Sequence, residues 1–354
     1  MFLKEILLCS PNRKEVILIK IAIDVMGGDK APKAIISGAL KAIDSFDDLN
    51  LILIGKHDII KNNLNKNEYS NHQRLEIENA SDIVGMEDSP SKSIRSKKNS
   101  SIYIGTSLVN ENKADAFISA GNTGAVMAAS LLNIGRIAGI KRPSIATVFP
   151  SISGKTLVMD AGANVDSKAK NLLQFAIMGQ IYYENIFNKK DPYLGLLSIG
   201  EEKQKGNKLT AETYELLEND NRITNFCGNV EGRDIFNKTC DIVICDGFTG
   251  NIVLKTSEGA IFYIMDLFKN LFKRNIMTKL GAVLIKPFLK SVKNKIDYRQ
   301  YGGAPLLGIN GVVIISHGSS DEVAITSAIK VARDTVNKNV VNLIEDKISE
   351  VGGC

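Results

Sequence analysis

Two stretches of this sequence set glycine, threonine, asparagine and aspartate where a backbone can grip an anion. In the first, Asp241-Ile-Val-Ile-Cys-Asp246 is an apolar run that stops at Gly247, passes through a Gly-x-Thr-Gly turn and opens a helix-like segment. In the second, Asp115, Gly121, Thr123 and Gly124 each lie 126 positions before Asp241, Gly247, Thr249 and Gly250, without a gap. A strand that ends in a glycine turn and feeds a helix is how open α/β sheets build binding sites. The helix start leaves backbone N–H groups free, and these suit an anion. The repeat therefore predicts two anion-receiving loops at the same edge of one sheet. Two ordinary strand-to-helix turns fit the same pattern, because Gly-x-x-Gly alone is a weak signal.

Other strand ends carry polar groups of the same kind. Asp24 and Asp29 flank Gly27-Gly28, where they orient a polar substrate or, for Asp29, cap the helix after Pro32. Asp160-Ala-Gly-Ala-Asn164 follows another apolar run, and His317-Gly-Ser-Ser320 precedes the last helical pattern. There is no G-x-S-x-G, G-x-G-x-x-G, Walker A or H-E-x-x-H motif. Chemistry then depends on scattered strand-end residues, or on a nucleophile that the substrate brings. Inorganic phosphate is such a nucleophile; it needs positioning more than activation. Glycine-loop N–H groups would hold it, or stabilise the oxyanion formed when it attacks a thioester. Cys9, Cys227, Cys240, Cys245 and Cys354 show no metal-ligand spacing and read as reduced cytosolic thiols. Cys227 and Cys245 lie in apolar strand patterns and are expected to be inert core thiols.

The elements that must position these groups alternate between strands and helices through most of the 354 residues. That order predicts an α/β sheet with helices on both faces. The runs at 144–149 and 155–160, joined by a Ser/Gly turn, add antiparallel character. Asn310-Gly311 between two apolar runs predicts a hairpin. Residues 91–112 read as one helix. Residues 1–19 read as an N-terminal extension and not a signal peptide, since Lys4 and Glu5 interrupt the apolar run. Residues 20–354 read as one α/β domain with a helical insertion at about 259–298.

That insertion holds most of the charge asymmetry. The chain has a formal charge of +5, yet residues 261–296 hold eight Lys/Arg against Asp266 alone, a local +7 that leaves −2 elsewhere. Lys279, Lys286, Lys290 and Lys293 share one helical stripe, and Gly281 and Pro287 forbid a single straight rod. A broken or hairpin pair of amphipathic helices is expected. It would pack on its own copy, lie on an anionic membrane surface or dock an acidic protein. Charge confined to one segment argues against a nucleic-acid-binding protein.

The motifs Ile21-Ala-Ile-Asp-Val-Met-Gly-Gly-Asp-Lys-Ala-Pro32, Ser119-Ala-Gly-Asn-Thr-Gly-Ala-Val126, Met159–Asn164, Ser198–Glu202 with Lys205-Gly206, Gly228–Arg233, Asp246–Asn251 and Tyr301–Pro305 occur in one order from Lys20 onward. In them the sequence resembles the PlsX family of phosphate acyltransferases. The resemblance implies transfer of a long-chain acyl group from acyl carrier protein to inorganic phosphate. The acyl phosphate would feed phospholipid synthesis through a membrane-bound glycerol-3-phosphate acyltransferase. It also implies a three-layer α/β/α Rossmann-like mixed sheet of the isopropylmalate-dehydrogenase-like group. A cytoplasmic, peripherally membrane-associated homodimer with no redox cofactor or required metal is implied as well.

By that resemblance, Asn122, Asp246, Asn251, Lys205 and His317 are candidate catalytic residues. Gly27, Gly28, Gly121, Thr123, Gly124, Asp160, Asn164, Arg233, Gly247, Thr249 and Gly250 are candidates for holding phosphate and thioester. Lys205 and Arg233 would balance phosphate charge, with a surface ion pair as the alternative. His317 would be a general acid or a helix cap. Competing readings are a phosphotransacetylase-type enzyme using acyl-CoA, a decarboxylating dehydrogenase, and a non-catalytic membrane-surface scaffold that recruits carrier protein.

Overall fold

The structure, a computed structural model, describes residues 18–66, 72–273, 277–283, 285, 288, 299 and 302–349. The extension up to residue 17, the lysines Lys286, Lys290 and Lys293, and Tyr301 lie outside the described residues. Strands β1 (Ile19–Asp24), β2 (Leu49–Gly55), β3 (Leu75–Asn79), β4 (Ala116–Ser119), β5 (Ser144–Ser151), β6 (Gly154–Met159), β7 (Leu194–Leu197), β8 (Phe226–Val230), β9 (Ile242–Ile244), β10 (Ala304–Leu307) and β11 (Val312–Ile315) form one sheet. Its order is β3-β2-β1-β4-β11-β10-β5-β6-β9-β7-β8.

The helices are α1 (Lys33–Ser45), α2 (His57–Lys66), α3 (Pro90–Ser96), α4 (Ser101–Asn110), α5 (Thr123–Ala129), α6 (Ala169–Phe187), α7 (Lys208–Asn219), α8 (Asp234–Asn237), α9 (Gly247–Lys273), α10 (Glu322–Asn337) and α11 (Val340–Ser349). They cover both faces, which is why the central strands are apolar along their whole length. Under α1 and α10 lie Ile21, Ile23, Leu51, Ile118 and Ile314. The opposite face of that half packs Phe117, Ile145, Leu306, Val313 and Ile315 beneath α4 and α5. In the other half α6 and α11 cover one face, and α8 with the start of α9 covers the second. The result is the three-layer mixed sheet expected from the alternation.

The expected antiparallel pair is β5–β6, and the Asn310-Gly311 hairpin is β10–β11. The two glycine loops, in contrast, do not share an edge. Strands β1, β2, β3, β4 and β11 run parallel to one another, as do β6, β9, β7 and β8. Three antiparallel joins (β11–β10, β10–β5 and β5–β6) separate the halves. An odd number of reversals makes β4 and β9 point in opposite directions, so their loops leave opposite ends of the sheet. Two smaller corrections concern helix boundaries. Residues 91–112 form two helices, because Ser100 accepts the Tyr103 N–H and starts α4 anew. Asp29 does not cap α1, whose first turn follows Pro32 with no side-chain cap.

The aspartate that begins each repeated unit has one structural job in both copies. The Asp115 N–H donates to the Lys20 carbonyl, and its carboxylate takes the Lys20 N–H at 2.7 Å. Asp241 takes the Tyr193 N–H at 2.9 Å while its own N–H bonds the Tyr193 carbonyl. Each aspartate thus sets the register of the neighbouring strand. Burial alone would raise the Asp241 carboxyl, but Lys189 at 2.6 Å and Lys238 at 2.7 Å outweigh it and hold it below the ordinary carboxylate range. Replacing Asp241 by Asn is expected to cost about 1.5–3 kcal/mol in urea unfolding at pH 7, the range for hydrogen bonds to a charged group. The unfolded carboxyl titrates near pH ~3.9. Its folded value is lower, so the stabilisation is complete above that pH and is lost as the pH falls through the folded value. The Asn variant should lack this acid-side component.

Candidate active site

Helices α5 and α9 stand on the same face of the sheet, one over each half, and leave a cleft above β10 and β5. A cavity of about 560 Å³ fills it. Thr123, Gly124 and Met127 of α5 form one wall; Phe248, Asn251, Leu254, Lys255, Glu258 and Ile261 of α9 form the other. The floor is Ile145, Thr147 and Phe149 of β5 with Ala304 and Ile315. Gly162 and Ala163 close one end, and Ser316 and His317 also line the cavity. The lining is mostly apolar, with a few polar groups set into it, as in most small-molecule sites. The two glycine loops therefore serve one cavity, each from its own half of the sheet.

The α9 side is built around Asp160. Its carboxylate accepts from Ile145 N at 3.0 Å, Gly162 N at 3.2 Å, Ala163 N at 2.9 Å, Asn164 N at 2.7 Å and Asn164 Nδ2 at 2.8 Å. Burial pushes this carboxyl up, and the five donors oppose that. No acceptor is aimed at it, so the set suits the ionised form. Asn164 also donates to the Pro143 carbonyl, and its own carbonyl takes the Gly247 N–H. Asp160 and Asn164 thus fix the loop on which α9 begins, and neither lines the cavity. A Cβ on Gly247 would stand 2.5 Å from the Asn164 carbonyl, and one on Gly250 would overlap the Asp160 carbonyl oxygen. Glycine at both positions lets the first turn of α9 lie on the loop. Asp246 caps that turn through the Thr249 N–H at 2.9 Å and the Thr249 hydroxyl at 2.7 Å. Asp246 and Thr249 are thereby engaged with each other, and Asn251 is the polar residue of this loop that reaches the cavity.

The α5 side uses Asn122 in the same structural way. Its Oδ1 caps α5 through the Ala125 N–H, while Nδ2 donates to the carbonyls of Gly85, Met86 and Asp88. Its amide holds the 85–88 loop against α5 and does not line the cavity; Thr123 and Gly124 do. Gly27, Gly28 and Gly121 also lie outside the lining. A Cβ on Gly27 would overlap the Asp24 carboxylate and approach Gly121 N to 2.8 Å, so the two turns touch backbone to backbone. Asp24, buried, accepts from the Ser119 hydroxyl at 2.7 Å and ties β1 to β4.

Lys205 and Arg233 do not meet the cavity. Both are exposed, and Arg233 pairs with Glu231 at 3.0 Å and Glu201 at 3.5 Å, the surface ion pair that was the alternative. His317 does not cap α10; Asp321 does, through the N–H groups of Val323 and Ala324. Instead, His317 Nε2 lies 3.2 Å from Lys255 Nζ, which is 2.9 Å from Glu258 Oε2. The Ser319 N–H donates to His317 Nδ1 at 3.1 Å, and the Ser319 hydroxyl lies 2.8 Å from the same nitrogen. Lys255, Glu258 and Ser316 are cavity residues that the sequence reading missed. Asn251, Lys255 and Glu258 fall at i, i+4 and i+7, one helix face, and that spacing was the available signal. Cys245 is buried and its thiol is pushed well above its usual value by burial. Cys227 is exposed, contrary to expectation, because β8 is the edge strand.

Adding one methyl group at Gly250 tests this packing. Gly250→Ala is expected to destabilise the fold by about 1–3 kcal/mol, the usual cost of overpacking. It should also lower turnover, because the start of α9 must shift off the Asp160 loop. Urea unfolding and an activity assay on the same preparation check both.

The model of the family described as fatty acid synthesis protein matches residues 19–343. The chain is 61% identical over 334 residues to a phosphate acyltransferase of Halothermothrix orenii, covering 94% of this chain and 100% of that one. It is 48% identical over 331 residues to the phosphate acyltransferase of Desulfitobacterium hafniense, covering 93% and 98%. Among solved structures, a phosphotransacetylase from Streptococcus pyogenes superposes with a TM-score of 0.62 at 18% identity, covering 91% of this chain and 96% of that one. A branched-chain phosphotransacylase from Enterococcus faecalis gives 0.56 at 15% identity, covering 90% and 99%. These two share the fold. The sequence matches say more: the chain belongs to this fatty acid synthesis family, the PlsX phosphate acyltransferases, and is an acyltransferase.

Proposed function

We propose that the cavity between α5 and α9 transfers a long-chain acyl group from acyl carrier protein to inorganic phosphate. The observation that carries this reading is the composition of the cavity. Met127, Phe149, Phe236, Leu254 and Ile261 offer an acyl chain an apolar bed, while Thr123, Asn251, Lys255, Ser316 and His317 offer polar contacts beside it. A phosphate oxygen attacks the thioester carbonyl carbon. The new C–O bond gives a tetrahedral oxyanion, and its collapse breaks the C–S bond and releases the carrier thiolate. The protein's part is to hold the phosphate anion and the acyl thioester together and to stabilise the oxyanion with fixed donors. The product, a reactive acyl phosphate, suits a membrane-bound glycerol-3-phosphate acyltransferase as its consumer in phospholipid synthesis.

The outer half of α9 supports the partner assignments. Phe262, Tyr263, Ile264, Leu267, Phe268 and Leu271 are all exposed in one chain. An exposed apolar helix face of this extent needs cover, and a second copy in a homodimer supplies it. The exposed Lys279 in the helical residues 277–283 continues into the basic segment, which suits acidic carrier protein and an anionic membrane surface. Among the described residues no helix is long and apolar enough to cross a membrane, so the contact proposed is peripheral, at the cytoplasmic face. Binding to anionic vesicles should weaken with salt and on replacing Lys279, Lys286, Lys290 and Lys293 by Glu. Vesicle binding indifferent to both would count against the membrane assignment.

The donor is tested by incubating the protein with phosphate and either palmitoyl-carrier protein or palmitoyl-CoA, trapping acyl phosphate with hydroxylamine. Product from the carrier-protein donor, reduced at least ~10-fold in Asn251→Ala as for a lost oxyanion donor, is the expected result. Product from palmitoyl-CoA alone would instead assign an acyl-CoA-dependent enzyme.

A further inference from the structure

Resting on that reading of the cavity, we propose that inorganic phosphate is received on the wall made by Ser316 and Lys255, with His317 beside Lys255. The surface cations Lys205 and Arg233 have no part in it.

The first observation is the Ser316 hydroxyl. Ser316 follows β11 directly, is 4% exposed and lines the cavity, yet its Oγ has no hydrogen-bond partner among the described residues. A buried hydroxyl left unpaired is costly, and a ligand oxygen arriving from the cavity would remove that cost. Gly303 keeps the approach open: a Cβ there would stand 2.9 Å from Ser316 Oγ.

The second observation is Lys255. Among the described residues that line the cavity it is the sole Lys or Arg. An ammonium carries three donors. Glu258 engages one of them at 2.9 Å, and His317 Nε2 lies 3.2 Å from the same nitrogen. Glu258 holds the ammonium against the wall.

The glycine turn at the start of α9 is less suited to an anion. Its helix N-terminus already holds the Asp246 carboxylate as its cap, and the buried Asp160 lies just behind it. A phosphate there would meet two carboxyl groups. At Ser316 and Lys255 it meets a hydroxyl and an ammonium, opposed by Glu258 alone.

The experiment measures inorganic phosphate binding directly, by phosphorus NMR titration with sulfate as competitor, on the full-length protein and on Lys255→Gln, Ser316→Ala, Lys205→Gln and Arg233→Gln. Lys255→Gln should weaken phosphate binding by about tenfold or more, and Ser316→Ala by roughly three- to tenfold, as for one lost hydrogen bond to a charged group. Lys205→Gln and Arg233→Gln should stay within about twofold, the noise of unrelated surface changes. In turnover, the first two variants should raise KM for phosphate and leave KM for the acyl donor unchanged. Lys255 sits half-exposed on a helix surface, so its variant folds even where Ser316→Ala lowers the unfolding temperature. Wild-type affinity in both Lys255→Gln and Ser316→Ala would overturn the assignment, as would absence of phosphate binding in the wild type. If binding falls as expected but no thioester yields acyl phosphate, the acyl-transfer reading fails and this site stands. If acyl phosphate forms and phosphate affinity is unchanged in the variants, the reading stands and this site is wrong.

Discussion

The carboxylate of Asp160 is the constraint on which the rest of the site depends. It gathers four backbone N–H groups and one side-chain amide from the start of β5 and from the loop after β6. That loop is the surface on which α9 begins, through Gly247 and Gly250. Once the first turn of α9 is placed, Asn251, Lys255 and Glu258 follow at fixed helical intervals along the cavity wall. A single buried charge thus sets the position of residues several turns away. Fixed dipoles around it make the arrangement rigid, which a site that must hold phosphate against a thioester requires.

The sheet explains why the cavity lies where it does. Each half is a parallel α/β unit whose glycine turn leads into a helix, and the halves run in opposite directions. The antiparallel strands β10 and β5 join them, and between the helices of the two halves they are the uncovered floor. Short β10 contributes Ala304 and is preceded by Gly302 and Gly303, so the floor carries little side-chain bulk. The same join brings His317, at the end of β11 in one half, against Lys255 of α9 in the other. Neither half could make this contact alone.

Much of this was legible in the sequence. Apolar runs ended by glycine marked the strands, and the Asn310-Gly311 turn and the 144–160 pair marked the antiparallel centre. The 126-residue repeat correctly paired β4–α5 with β9–α9. What the repeat could not show was direction, because relative strand orientation depends on how many antiparallel joins intervene. Residue type also did not show which polar atoms the fold engages. Asn122, Asp246 and Thr249 have the chemistry of ligands, but their polar atoms are spent on helix caps and loop carbonyls. Lys205 and Arg233 have the charge of phosphate binders and lie on the surface. Lys255 was hidden inside a helix that reads as an amphipathic continuation. Only the fold brings it against His317, which is 62 positions away in the chain.

The central claim is that acyl transfer takes place in the cleft between α5 and α9. The most direct test is to fill that cleft without touching its polar groups. Leu254 lines it from α9 and is only partly buried, so Leu254→Trp places bulk in the cavity with modest strain on the core. Hydroxylamine-trapped acyl phosphate should be lost in this variant while its thermal unfolding and its phosphate binding stay close to wild type. Undiminished acyl phosphate formation from a correctly folded Leu254→Trp protein would contradict the account and place the chemistry elsewhere on the molecule.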